Sequence, residues 1–158
     1  MATTIALTTE QIHQLDFSHI HQVIQPWVQA RSLLTHEQQL SFQIDYVLEP
    51  GDPRELPEIP EIRLWFVGLD AYYPWLPFLL DWKAGELVRY TAMLVPHQFH
   101  AKDGIQFNPE ALEIFVMHKI FTLTAWMAAQ QIEGRSRLKS MAQMFGYELE
   151  DELFDLIQ

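Results

Sequence analysis

The stretch from Ile62 to Trp82, IRLWFVGLDAYYPWLPFLLDW, concentrates seven of the chain's twenty aromatic residues and three of its five tryptophans, broken only by Arg63, Asp70 and Asp81. A fully buried aromatic side chain stabilises a fold by roughly 1.5–3 kcal/mol, so this segment is able to dominate a small core. Two local structures are open to it. As a helix with Pro60 in its first turn and Glu61 at the positive end of the dipole, it places Ile62, Trp65, Phe66, Leu69 and Tyr73 on one face. As a strand, Ile62, Leu64 and Phe66 alternate with Arg63, Trp65 and Val67, apolar on both sides. The helix is the preferred reading. Tyr73-Pro74 must break it, because a residue before proline disfavours the α region. Pro74 to Asp81 then reads as a short second helix and Lys83 to Leu94 as a third. Two prolines and two flanking aspartates make PWLPFLLDW a poor interior helix and mark it as a shaped, partly exposed ledge.

The remaining chain supplies the elements this segment packs with. Leu40 to Leu48 alternates Leu40, Phe42, Ile44, Tyr46 and Leu48 against Ser41, Gln43 and Asp45, the clearest strand, with Thr3 to Leu7 a candidate partner. Thr8 and Gln11 form a weak capping box. A helix from Ser18 carries Ile20, Val23, Ile24, Trp27 and Val28, and Pro26 is expected to kink it or end it early. His13, His19 and His21 lie on or beside this segment. His19 and His21 diverge by about 200° on a helix, so they read as solvated residues rather than metal ligands. Val95 to Asn108 reads as a hairpin turning at Ala101-Lys102-Asp103-Gly104. Asn108 and Pro109 open the strongest helix, to about Gln131, apolar so far around that it is expected to be central and nearly surrounded. Helices from Ser136 to Gly146 and from Glu148 to Ile157 follow. The fold expected is α+β, a predominantly helical single domain over 1–158, with a small antiparallel sheet from strands near 40–48 and a hairpin near 95–108.

Charge and composition narrow the function. A net charge of −11 opposes phosphate backbones and anionic lipid, and it permits a basic protein partner. The helix-turn-helix outline near the C-terminus bears Glu148, Glu150, Asp151, Glu152 and Asp155 on its second helix, which excludes a DNA reader. The chain has no cysteine, hence no disulfide, no thiolate zinc site and no cysteine-ligated iron–sulfur cluster. The start MATTIALTTEQ has no basic segment followed by an apolar one, and charge-free runs such as Ile120 to Ile132 fall short of the ~20 residues that span a bilayer. A soluble protein, not membrane-embedded, is expected. No phosphate-cradling loop, catalytic serine motif, zinc-protease motif or calcium loop occurs, and no cofactor is implied.

The blocks DPREL from Asp52, RLWFVGLDAYYPWLPFLLDWKAGEL from Arg63, LVPHQF from Leu94, GIQFNPEALEIFVMHKIF from Gly104 and SRLKSMAQMFGYEL from Ser136 together resemble the chlororespiratory reduction 6 family of cyanobacteria and chloroplasts. The resemblance runs from roughly Glu49 to the C-terminus, with the first 48 residues matching loosely. It implies a cytoplasmic, non-catalytic assembly factor for the photosynthetic NAD(P)H dehydrogenase-like type I complex. The implied partner is the I subunit of its hydrophilic connecting arm, which carries iron–sulfur clusters. No catalytic residue carries over.

Three surfaces are candidates. The first is a partner-binding patch of Trp65, Tyr73, Trp75 and Trp82 framed by Arg63, Asp70, Asp81 and Lys83, since interfaces are rich in Trp, Tyr and Arg. The second is an acidic edge. Glu49, Asp52, Glu55, Glu58 and Glu61 recur every third residue in a proline-rich segment, and polyproline II has three residues per turn. The third, the alternative, is an enzyme or small-ligand cleft gathering Asp70, Asp81 and His97.

Overall fold

Strand β1 (Thr3–Thr8) buries Ile5 and Leu7 and turns Thr4, Ala6 and Thr8 to water. In the computed structural model, which describes residues 2–157, β1 leads directly into helix α1 (Thr9–His13). The capping box forms: Thr8 Oγ1 accepts from the Gln11 backbone N–H and the Gln11 side chain accepts from the Thr8 N–H. Helix α2 (Ser18–Gln29) buries Ile20 and Ile24. It continues three residues beyond Pro26 rather than ending there, with the proline exposed on its outer side.

Strand β2 (Leu40–Asp45) takes the candidate partner, pairing with β1 in parallel from Thr3↔Leu40 to Thr8↔Asp45. A parallel pair needs a crossover connection, which α1 and α2 provide. The strand therefore forms a sheet of its own, separate from the antiparallel hairpin further on.

The aromatic stretch opens as helix α3 (Pro60–Tyr72), with Pro60 at its start and Ile62, Trp65, Phe66 and Leu69 buried. The helical reading holds because its alternative would leave an apolar side on both faces of an unpaired strand. Tyr73, before Pro74, leaves the α region at φ −134° and ψ 73°. A 3-10 turn at Leu76–Phe78 follows, then a turn with Gly85 at φ +82°, then helix α4 (Glu86–Leu94).

The expected ledge is interior instead. Trp75, Leu76, Pro77, Phe78, Leu79 and Leu80 are all buried. Their backbone forms the second edge of β2. The Phe78 carbonyl accepts from the Gln38 N–H, the Leu79 carbonyl accepts from Gln39 and Leu40, and the Leu40 carbonyl accepts from Asp81. The prolines thus shape a short turn whose carbonyls at Phe78 and Leu79 are satisfied by the start of the strand and the residues before it, which offsets the cost of burying them. The next donor along that edge, the Phe42 N–H, reaches Glu86 Oε2 at 3.3 Å. Glu86 is buried and pairs with Arg89 at 2.6 Å, so a carboxylate ends the ladder.

These elements belong to one compact unit, Met1–Leu94, and Val95–Gln158 make a second. In the second, strands β3 (His97–His100) and β4 (Gly104–Phe107) form the expected hairpin, antiparallel from His97↔Phe107 to His100↔Gly104. Gly104 at φ +75° takes the left-handed conformation that the turn requires. Helix α5 (Pro109–Gln130) begins as its cap residues dictate, Asn108 Oδ1 accepting from the Ala111 N–H at 3.0 Å. It is not nearly surrounded. Leu112, Val116, Ile120, Leu123 and Met127 are buried, whereas Ile114 is 71% and Phe121 51% exposed. Lys119 is buried with its ammonium 5.8 Å from the Phe115 ring centre, and His118 is exposed.

Helix α6 (Arg135–Gln143) starts one residue before Ser136, the Glu133 carboxylate accepting from the Arg135 N–H. It is tied to helix α7 (Asp151–Ile157) by Lys139 on Asp151 at 2.6 Å and Arg135 on Asp155 at 3.0 Å. The helix-turn-helix outline is therefore an ion-paired clamp. The architecture is α+β and mostly helical, with the hairpin as its antiparallel sheet and β1–β2 as a parallel pair.

Candidate protein-docking surface

The residues from which a partner surface was expected lie on helix α3 and in the turn segment that follows it, and the structure divides them by depth. Trp65 is fully buried, its Nε1 donating to the Asp16 carbonyl at 3.1 Å. Its ring stacks on Phe17 at 5.1 Å and meets Phe66 edge-on at 5.0 Å. Phe42 stands edge-on to Phe66 at 5.5 Å, and Tyr90 does so at 5.9 Å. Tyr73 is buried and its hydroxyl is shared by His21 Nδ1 and Gln25 Nε2. Burial pushes that hydroxyl's pKa up. Trp75 is buried against Tyr73 at 5.2 Å, and half-buried Trp82 donates its Nε1 to the Pro77 carbonyl at 2.8 Å. Of the tryptophans expected to rim a patch, Trp65 and Trp75 are core residues and Trp82 is half-buried.

The charged residues of the same set are largely turned to structural use. Arg63 donates from Nη1 to the carbonyls of Pro57 and Ala92, both at 2.9 Å, and burial lowers its pKa. Asp70 accepts from the Tyr90 hydroxyl at 2.8 Å. Tyr90 is fully enclosed, and burial reinforced by the Asp70 charge raises its pKa well above the ordinary value. Asp81 accepts from the Ala84 N–H, ending the turn into α4. Lys83 is exposed.

Asp70, Asp81 and His97 are each held by a separate local partner, the last through Nδ1 to the Val95 carbonyl at 3.1 Å. Nor are the α1–α2 histidines simply solvated. His13 bonds the Tyr46 hydroxyl at 2.9 Å, His21 bonds Tyr73, and half-buried His19 lies 6.3 Å from the Trp65 ring. Among the described residues, no three His, Asp or Glu side chains are grouped to hold a metal ion. A void lined by Phe42, Phe66, Glu86 and Tyr90 holds about 10 Å³, room for at most one water.

The acidic edge is not a continuous polyproline rail. Pro50-Gly51 forms a turn, with the Asp52 N–H on the Glu49 carbonyl at 3.0 Å and Gly51 at φ +84°. A 3-10 turn at Leu56–Glu58 breaks it again. Proline followed by glycine favours such a turn over an extended run. Asp52 is engaged by Arg54 at 2.8 Å, which lowers its pKa, while Glu55, Glu58 and Glu61 remain exposed.

What reaches solvent on α3 is the side opposite its aromatic face. Pro60, Leu64, Val67 and Ala71 recur at spacings of four, three and four, a single helical stripe, and all four are exposed. Leu64 is 57%, Val67 50% and the neighbouring Tyr72 58% exposed. The Phe17 ring lies beside this stripe over Gly68, where an added Cβ would come within 2.7 Å of it. Leu64 and Glu61 also line a cleft of about 350 Å³ with Ile12, His13 and Leu15 of the α1 segment, and Leu15 is itself 43% exposed. Sequence reasoning assigned the inward face of α3 and passed over this one. The signal was available, since both sides of the helix are apolar and a single layer covers only one.

No solved structure matches the chain. The family model described as Chlororespiratory reduction 6 matches residues 7–156, taking in β2, α2 and part of β1 as well as the blocks downstream of Glu49. With nearly its whole length covered, the chain belongs to the chlororespiratory reduction 6 family.

Proposed function

We propose that this protein is a non-enzymatic assembly factor for the hydrophilic connecting arm of the photosynthetic NAD(P)H dehydrogenase-like type I complex. In this reading it works in the cyanobacterial cytoplasm, or its equivalent the chloroplast stroma, and holds the iron–sulfur I subunit while that subunit matures. The observation that carries the reading is the family match over residues 7–156, which brings a role in chlororespiration with it. Two physical features support the finer statement. The chain has no cysteine, so it is suited to holding a subunit rather than to passing it a thiolate-bound cluster. Its net charge of −11 keeps it dispersed while apolar side chains stay exposed on α3, as a binding protein for an incomplete subunit requires.

Affinity capture from native extract tests the proposal. The tagged protein is expected to retain the I subunit, and a strain lacking the protein is expected to accumulate the membrane arm without a complete connecting arm. Normal assembly in that strain would overturn it.

A further inference from the structure

We infer that the outer stripe of α3 and the adjoining cleft are the docking site for a basic, amphipathic segment of the partner protein. This rests on the assembly-factor reading and specifies its surface. Apolar side chains of the segment lie along Leu64, Val67 and Leu15, and a Lys or Arg of the same segment meets Glu61.

Three observations lead there. The stripe is apolar over three turns of a helix that is otherwise fastened into the core, so its exposure is not the fraying of a loose element. The cleft of about 350 Å³ is open at Leu64 and Leu15 and large enough for one or two side chains. Glu61 stands in its wall, exposed, with no hydrogen bond or ion pair among the described residues. Lying three residues before Leu64, it places a negative charge one helical turn from the apolar contact, matching a segment that carries a base beside its apolar side chains.

Charge selects among occupants. Arg63, the one base on α3, is turned inward onto two carbonyls, and Arg54, the base that feels the Glu61 charge, is held by Asp52 at 2.8 Å. A second copy of this chain would bring its own excess of acids against Glu61, and an anionic membrane its lipid headgroups. A basic segment gains from the same field.

The test uses the full-length protein and two probes. The first is the I subunit, captured by wild type, by Leu64→Ser with Val67→Ser, and by Glu61→Lys. The paired serine variant is expected to lose capture by about tenfold or more, as central interface residues do, and Glu61→Lys to lose it most at low salt. The second is a synthetic amphipathic helix with leucine on one face and flanking lysines, followed by NMR. It is expected to shift the methyl signals of Leu15, Leu64 and Val67, and its counterpart with glutamates for lysines is expected to leave them unmoved. Full capture by both variants with unmoved methyls would overturn the site while leaving the assembly reading intact. Failure of wild type to capture the I subunit, with the methyls still responding to the lysine peptide, would overturn the partner and keep the surface. Self-association abolished by the serine pair, or sedimentation with anionic vesicles, would assign the stripe to those occupants and overturn the proposal.

Discussion

Helices α3 and α5 are both apolar nearly all the way round, and they solve that problem with different neighbours. Inward, α3 sets Trp65 and Phe66 against the rings of Phe17, Phe42 and Tyr90, and its polar atoms Trp65 Nε1, Arg63 Nη1 and Asp70 Oδ1 are each bonded. Inward, α5 offers aliphatic residues and one buried lysine beside Phe115. Outward, α3 shows a leucine and a valine beside a cleft with an exposed carboxylate, whereas α5 shows Ile114, His118 and Phe121. Exposed apolar area alone therefore does not single out a site. The adjacent cleft and the exposed Glu61 carboxylate in its wall give the α3 face its chemical character.

The comparison is open to attack from the inside outwards. Trp65→Ala removes the ring on which Phe17 stacks and orphans the Asp16 carbonyl, and a loss of about 3–5 kcal/mol is expected in denaturant unfolding. A change under about 1 kcal/mol would mean that the α3 core is far looser than its ring contacts imply.

Tyr90→Phe leaves Asp70 without its phenol donor and should cost about 1 kcal/mol at neutral pH. It also carries a pH signature. The folded Tyr90 has a raised pKa, so its contribution is fully present below the unfolded value near 10 and is lost as pH rises from there toward the folded pKa. Alkaline stability curves of wild type and Tyr90→Phe are therefore expected to converge above about pH 10. Parallel curves would contradict the burial of this phenol.

Gly68→Ala sharpens the outer boundary of the core. Alanine favours a helix over glycine by up to about 1 kcal/mol. Its Cβ, however, would lie 2.7 Å from Phe17 Cζ. The ring must move, and a net loss of about 1 kcal/mol with a changed Trp65 emission is expected. A stabilised protein with unchanged emission would show that Phe17 yields freely.

The smallest effect on stability separates the two outer faces most cleanly. Leu64→Ser with Val67→Ser, and Ile114→Ser with Phe121→Ser, should each change stability by no more than about 0.5 kcal/mol per site, since all four are exposed. Only the first pair is expected to impair capture of the I subunit. Equal loss from both would make exposed apolar area, rather than the cleft beside α3, the binding determinant.

Much of the local structure was legible because it rests on signals a few residues apart. Asn108-Pro109 started α5 where the cap and missing N–H require it, Asp103-Gly104 closed the hairpin, and Thr8 with Gln11 formed the capping box. The buried face of α3 was equally legible, since Ile62, Trp65, Phe66 and Leu69 follow helical spacing. The interior course of Trp75 to Leu80 was not. Its prolines argue against a helix and say nothing about whether the distant residues Gln38 to Leu40, at the start of β2, will pair with the backbone they shape. The parallel direction of β1 and β2 was hidden for the same reason, because register and direction belong to the pair and not to either strand. The acidic repeat forms no polyproline rail for a local reason, since Pro50-Gly51 turns the chain at its start and the 3-10 turn at Leu56–Glu58 breaks it again.

By itself the sequence determined the caps and turns, the face that a helix opening the aromatic stretch would bury, the absence of thiolate chemistry and the family. These depend on near neighbours, composition or long matching blocks. Tertiary structure alone decided that the other apolar side of the stretch's opening helix meets water. Helical spacing marked Ile62, Trp65, Phe66 and Leu69 for burial and left open whether a second layer would cover Leu64 and Val67, so that choice fell to the partners. Phe17, Phe42 and Tyr90 closed over Trp65 and Phe66, and nothing in the same unit was left to cover Leu64 and Val67.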